Sequence, residues 1–266
     1  MFLHNGGTSR RIWEAQMQHF APSHCLYAMD LLGYGDSAKP DVEYCLALYV
    51  SLLAEFVQRL GPEPVTLVGN CMGSAMALAF AARFPERVRA LVLFNTLTER
   101  TVSAGSFGGL YRLSTRSRLA GVLLRRLAPR LRIPRAARAG AIRGLLGRAG
   151  KRAGVHHDPA LQSLYESRDQ LRVLNSLARN LGTYGELDGL SRADIRVPIC
   201  SIWGMENKVL PAAAGRELCA RLSPDRAEWL EDCGHLPMIE QPGKVNPIIS
   251  RFLHESVRGP LERAAA

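Results

Sequence analysis

The stretch that most limits what this chain can fold into is Val65–Gly73. An apolar β-branched run, Val65-Thr66-Leu67-Val68, passes through Gly69-Asn70-Cys71-Met72-Gly73 and enters an Ala-rich segment, Ser74 to Arg83, at once. The run has strand composition and the segment has helix composition, so the reading is strand, tight turn, helix. A residue at the apex of so sharp a turn is held in strained backbone, and neighbours without a Cβ let strand and helix close around it. That residue is Cys71. The new helix N-terminus lies beside its sulfur, where the dipole and free N–H groups favour a thiolate and a developing oxyanion. The same residues, taken alone, also fit a small buried cysteine in an ordinary β-turn-α crossing.

The rest of the chain repeats the rhythm. An apolar start at Met1-Phe2-Leu3 runs into a Gly-rich turn, His4-Asn5-Gly6-Gly7-Thr8-Ser9, followed by a helix from about Arg11 to Phe20. A strand from Cys25 to Asp30 enters Asp30-Leu31-Leu32-Gly33-Tyr34-Gly35-Asp36-Ser37-Ala38-Lys39-Pro40-Asp41. An amphipathic helix, Tyr44 to Leu60, stops at Gly61-Pro62. After the helix that follows Cys71 come Phe84-Pro85 and a strand from Arg89 to Asn95. The strand pattern then vanishes from Leu97 to Leu190 and resumes at Val197 to Trp203. A helix at Ala212 to Leu222, a strand at Ala227 to Leu230, the turn Asp232-Cys233-Gly234-His235 and a helix from Lys244 to Val257 complete it. Strands alternating with helices pair in parallel through right-handed crossovers, which puts a site at their carboxyl ends.

These motifs together resemble the α/β-hydrolase superfamily: a G-x-C-x-G elbow with Cys where most members carry Ser, the D-x-x-G-x-G-x-S loop from Asp30, and Gly234-His235 with Glu240 and Pro242 in the manner of G-H-x-x-x-x-E-x-P. Leu3 to Ser9 with Trp13, and Asp30 to Asp41, look most like the haloalkane dehalogenase and epoxide hydrolase branch. The resemblance implies a mostly parallel sheet, with residues 1–96 and 191–266 as the core and 97–190 as an inserted helical cap. Members normally have two further strands before the one at Phe2; here they are either dispensed with or lie upstream. His235 takes the place of the catalytic base, and the backbone N–H groups of Met72 and Gly6 take that of the oxyanion hole. The equivalent of His4 orients the oxyanion loop.

The third catalytic position lacks a carboxylate. Relatives with W-G-x-x-D place the acid where this chain has Asn207, and others draw it from the position of Asn95. Glu206 is adjacent to the first. A Cys-His pair can work without an acid, because a thiol ionises far more easily than a hydroxyl and Cys-His-Asn triads function elsewhere. Asn207 is the favoured partner, Glu206 the second and Asn95 the third.

The nucleophile selects the chemistry. A cysteine that attacked an alkyl halide or epoxide would form a thioether, which has no carbonyl for water to attack. A cysteine that attacks an acyl group forms a thioester, which water, amines and thiols can resolve. The expected activity is therefore acyl transfer or acyl hydrolysis. A simple ester or lactone hydrolase is the alternative, and a non-catalytic descendant that binds a ligand or carrier protein is the alternative from another class.

Charge points to the substrate. The net charge is +10, yet residues 97–190 alone carry 17 Lys+Arg against 6 Asp+Glu, and Arg112 to Arg152 holds 13 basic residues and no acid. An acid-free Arg-rich surface, with Arg125 and Arg126 as candidate contacts, suits the phosphates of coenzyme A or the acidic face of an acyl carrier protein. A solubilising helical face is the plain alternative. Membrane-surface contact by the Leu/Arg helices is a less favoured reading. Nucleic acid is not expected, since the run has almost no interleaved aromatics.

At 266 residues and 47% hydrophobic, the chain can bury one sizeable core. It contains no apolar run of membrane-spanning length, signal-peptide pattern or internal repeat, so a cytoplasmic location is expected. The six cysteines show no metal-type spacing; reduced thiols, no metal and no cofactor are expected.

Overall fold

Alternation along the strand Val88–Phe94 sets the layering. Leu91 and Leu93 join one apolar cluster, while Ala90, Val92 and Phe94 join the other, on the opposite face of the sheet. The computed structural model describes residues 1–116, 135–158, 161–162 and 168–262. Among these, six strands form one sheet: β1 (Phe2–Leu3), β2 (Ala28–Met29), β3 (Val65–Asn70), β4 (Val88–Phe94), β5 (Ile199–Gly204) and β6 (Arg226–Leu230). Their spatial order is β2-β1-β3-β4-β5-β6, and every pairing is parallel. Strands buried on both faces read as near-continuous apolar runs, as β3 to β5 do.

Helices cover both faces. Tight turning at Arg10–Trp13 leads into α1 (Glu14–Phe20); α2 (Leu46–Arg59), α3 (Met72–Arg83), α4 (Glu99–Ser103), α5 (Gly108–Arg116), α6 (Arg135–Leu145), α7 (Arg148–Arg152), α8 (Arg168–Arg179), α9 (Ala212–Leu222), α10 (Pro237–Glu240) and α11 (Pro242–Glu262) follow. In α2, Leu46, Tyr49, Val50, Leu53 and Val57 recur at helical spacing and all are buried. They pack with α3, Leu91, Leu93 and Trp203 on one face. Trp13, Phe20 and the stripe Val245, Ile249, Phe252 of α11 cover the other, with the Trp13 ring 5.7 Å from that of Phe94.

Two elements differ most from the sequence reading. The strand expected at Cys25 to Asp30 pairs only at Ala28–Met29, because Asp30 turns the chain out of the sheet. Its carboxylate accepts the N–H groups of Arg10 at 2.7 Å and Asp36 at 2.9 Å and pairs with the Arg10 guanidinium. The last helix begins two residues earlier than expected and runs on to Glu262. Between β4 and β5 the insert carries helices and turns, with no strand among the described residues. Arg125 and Arg126 lie outside the described residues. Among the described residues no helix is long and apolar enough to cross a membrane.

Candidate active site

The strand-turn-helix expected at Cys71 is present, and its geometry explains both glycines. Cys71 sits at φ 52°, ψ −108° between β3 and α3, a conformation that costs a side-chain-bearing residue about 1–3 kcal/mol. Its N–H donates to Phe94 O at 2.9 Å, and its carbonyl accepts the N–H of Ala75 at 3.0 Å and of Leu97 at 3.3 Å, so the turn is pinned from β4 and from the insert's first residue. A Cβ on Gly69 would lie 2.4 Å from the Gly73 carbonyl, and one on Gly73 would lie 2.1 Å from Leu3 O. Neither position has space for a side chain.

Burial governs the sulfur. Cys71 is 9% exposed. Desolvation pushes its thiol up to about 12, against a smaller lowering by the Met72 N–H. The dipole-favoured thiolate expected from the sequence is thus outweighed, and the resting group is a neutral thiol.

His235 lies on the turn after β6, buried to 3% exposure. Its Nδ1 is 3.2 Å from Asn207 Oδ1. That oxygen also accepts the N–H groups of Val209 at 3.0 Å and Leu210 at 3.1 Å, which fixes it as the amide oxygen. Nδ1 must therefore carry the proton, leaving Nε2 as the basic nitrogen. Burial holds the imidazole down at about 4, so it is neutral. Asn207 Nδ2 has no hydrogen-bond partner among the described residues.

The other candidates for the third position are otherwise engaged. Glu206 pairs with Arg148 of the insert, Nε to Oε1 at 2.6 Å. Asn95, fully buried at φ 44°, accepts the Gly204 N–H at 3.1 Å and donates to His235 O at 3.2 Å, so it holds the His235 turn through the backbone. Asn70 donates to the same carbonyl at 3.3 Å and to Asn5 Oδ1 at 3.1 Å. Three asparagine amides thus tie the Gly-rich loop after β1, the ends of β3 and β4 and the His235 turn together. Sequence reading missed Asn5 and Asn70; flanking a Gly-rich turn and the elbow was their only signal.

His4 is a fixed neutral spacer. Its Nδ1 lies 2.8 Å from Asn5 O and its Nε2 accepts the Leu31 N–H at 2.9 Å. One nitrogen donates and the other accepts, which excludes the imidazolium, and burial lowers its pKa to about 4. Gly6, the second expected oxyanion donor, abuts Tyr34 and Leu177; a Cβ there would stand 2.6 Å from Leu177 Cδ2. Met72 opens α3, where its N–H has no carbonyl a turn earlier to bond. Leu177 and the fully buried Tyr184 bring the insert into the cluster that contains Cys71 and Met72. No sequence motif marked either residue. His156, in the segment between β4 and β5, is 6% exposed, with Nε2 3.2 Å from Arg143 Nη1.

Comparison with known proteins gives the arrangement its context. The family model for the alpha/beta hydrolase fold matches residues 1–242. An uncharacterized protein of Mycobacterium tuberculosis is 27% identical over 275 residues, covering 100% of this chain and 78% of that protein. The 2-hydroxy-6-oxo-2,4-heptadienoate hydrolase of Pseudomonas putida is 27% identical over 252 residues, covering 93% of this chain and 85% of its own. The haloalkane dehalogenase DbeA from Bradyrhizobium elkani superposes with a TM-score of 0.77 at 21% identity, over 97% of this chain and 90% of that one.

Proposed function

Since the chain belongs to the α/β-hydrolase family, we propose that it is a hydrolase or acyltransferase that forms a thioester acyl-enzyme on Cys71. The observation that carries this reading is the hydrogen bond from His235 Nδ1–H to Asn207 Oδ1, in a turn tied to the elbow by Asn70. It leaves Nε2 as the nitrogen of the ring that is able to accept a proton. His235 Nε2 takes the Cys71 proton as sulfur adds to the acyl carbonyl, because a neutral pair has no standing thiolate to supply. The carbonyl oxygen becomes an anion held by the N–H groups of Met72 and Gly6. Collapse expels the leaving group, which takes the proton from His235. Water or another acceptor then gives its proton to Nε2, attacks the thioester and releases the acyl product with the thiol restored.

Haloalkane chemistry does not fit the nucleophile, because a thioether would be a dead end. The substrate we favour is an acyl thioester or ester on coenzyme A or an acyl carrier protein, met by the basic run of the insert, including Arg125 and Arg126. A small-molecule ester or lactone substrate is the second reading. It is supported by the match to the Pseudomonas hydrolase across most of both chains. A binding protein without turnover is the third, supported by the buried neutral thiol and the absent carboxylate.

Intact-protein mass after brief incubation with acyl-coenzyme A and acyl-carrier thioesters, beside Cys71→Ala and His235→Ala, tests the proposal. An acyl adduct that requires Cys71 and accumulates when His235 is lost is the expected result. A folded protein that forms no adduct with any thioester would refute the carrier-linked reading. Arg125→Glu with Arg126→Glu should weaken use of the carrier-linked substrate far more than that of a short neutral ester. Equal effects would reduce the basic run to a solubilising face.

A further inference from the structure

The base is held from two sides, and one of them is the insert. His235 N–H donates to Leu145 O, at the end of α6, at 2.7 Å. The flanking N–H groups belong to Gly234 and Leu236, and both donate to the buried carboxylate of Glu240, at 3.1 and 3.0 Å from Oε1. The other carboxylate oxygen accepts the N–H of Gly147, in the insert, at 2.7 Å. Burial raises the pKa of Glu240, and the converging N–H donors, Leu236 and Gly147 foremost, oppose that rise. One carboxylate therefore bonds the His235 turn and the insert at once.

Arg148, the next residue, repeats the link on the outside. Its guanidinium reaches Glu206 at 2.6 Å and Asp232 at 2.5 Å, its N–H donates to Glu206 Oε2 at 2.8 Å, and Ala149 N–H donates to Asp232 O at 2.8 Å. Glu206 precedes Asn207, and Asp232 lies three residues before His235. Residues 145–149 thus bridge the loop of the orienting amide and the loop of the base.

We propose that Glu240 is a positioning residue that couples the insert to His235, so that the base is aligned on Asn207 only while residues 145–149 are seated. This rests on the reading of His235 as the base, and it adds that an insert lifted to admit substrate withdraws support from the base until it closes again. Premature attack by water on a bound acyl group is suppressed while the insert is open. The carboxylate is needed as such, since all its neighbours here are donors. A glutamine could keep its oxygen toward Gly234 and Leu236, but its NH2 would then face the Gly147 N–H.

The test uses the full chain with Glu240→Gln and the surface variant Arg148→Ala, each checked for folding by circular dichroism. Two readouts need no substrate: backbone hydrogen exchange, and 15N NMR of the histidine rings. In Glu240→Gln, exchange at Gly147 and at His235 should both rise about tenfold or more, and the Nδ1–H form of His235 should give way to a mixture of tautomers. Arg148→Ala should move the same two signals in the same direction, although Glu240 is intact. Loss of protection with the His235 tautomer unchanged in both variants would make Glu240 a merely structural residue and overturn the proposal. Unchanged exchange at His235 in both variants would do so as well. Because neither signal depends on turnover, a wild-type protein that forms no acyl-enzyme leaves this test valid while refuting the acyl chemistry.

Discussion

Asn207 is the residue on which the chemistry of the centre turns. It holds the His235 tautomer as a carboxylate would, with an amide oxygen accepting two backbone N–H groups and the imidazole N–H. It brings no charge, so nothing offsets the burial that keeps the imidazole neutral. Asn207→Asp would place an oxygen where the unpartnered Nδ2 now lies and a negative charge against Nδ1–H. The imidazolium is then favoured, so the His235 pKa should climb from about 4 toward the ordinary histidine range. Alkylation of Cys71 by iodoacetamide at pH 7 should accelerate about tenfold as a thiolate-imidazolium pair becomes populated. An unchanged alkylation rate would show that the proton of Cys71 does not pass to His235. Asn207→Ala should slow turnover about a hundredfold by releasing the ring, and Glu206→Gln much less, because Glu206 bonds Arg148 instead of the base. The reverse ranking in steady-state kinetics would transfer the orienting role to Glu206.

At the level of elements, the elbow is the most tightly specified unit. Gly73→Ala would set a methyl 2.1 Å from Leu3 O, which forces β1 and α3 apart. A loss of about 3 kcal/mol or more in urea unfolding, or failure to accumulate as folded protein, is expected. A variant as stable as wild type would contradict the packing described for the elbow. This unit was legible in the sequence because its constraint is local: strand, apex and helix follow within a few residues, and only Gly fits at two of them. The helix α9 was legible to the residue for the same reason. β2 was not, because the carboxylate that turns the chain out of the sheet is fixed by Arg10, a residue far away in the sequence. Asn207 could be read from its offset after Trp203. The tie that Glu240 makes between the His235 turn and the insert could not, since its partner there, Gly147, carries no chemical mark.

For the molecule as a whole, two neutral buried imidazoles make stability depend on pH. His4 and His235 each fall from 6.5 to about 4 on folding. Between those values the unfolded chain binds protons that the folded chain refuses. The stabilisation is therefore complete above pH 6.5 and is lost as pH falls toward 4, by about 2 kcal/mol per histidine at pH 5. Urea midpoints at pH 7.5 and pH 5 should separate accordingly, and His235→Gln should narrow the gap by its own share, about 2 kcal/mol. Coincident midpoints would mean that water reaches both rings.

The strand order carries a further consequence, for timing. β3 and β4 are joined by a single helix and can pair as soon as both have been made, and β1 is already waiting to dock beside β3. His235 follows β6, at the far edge of the sheet. On a ribosome, Cys71 is therefore made and set in its turn long before His235 leaves the exit tunnel. On the chemistry proposed above, the nascent protein carries a thiol without its base until β6 has been laid down.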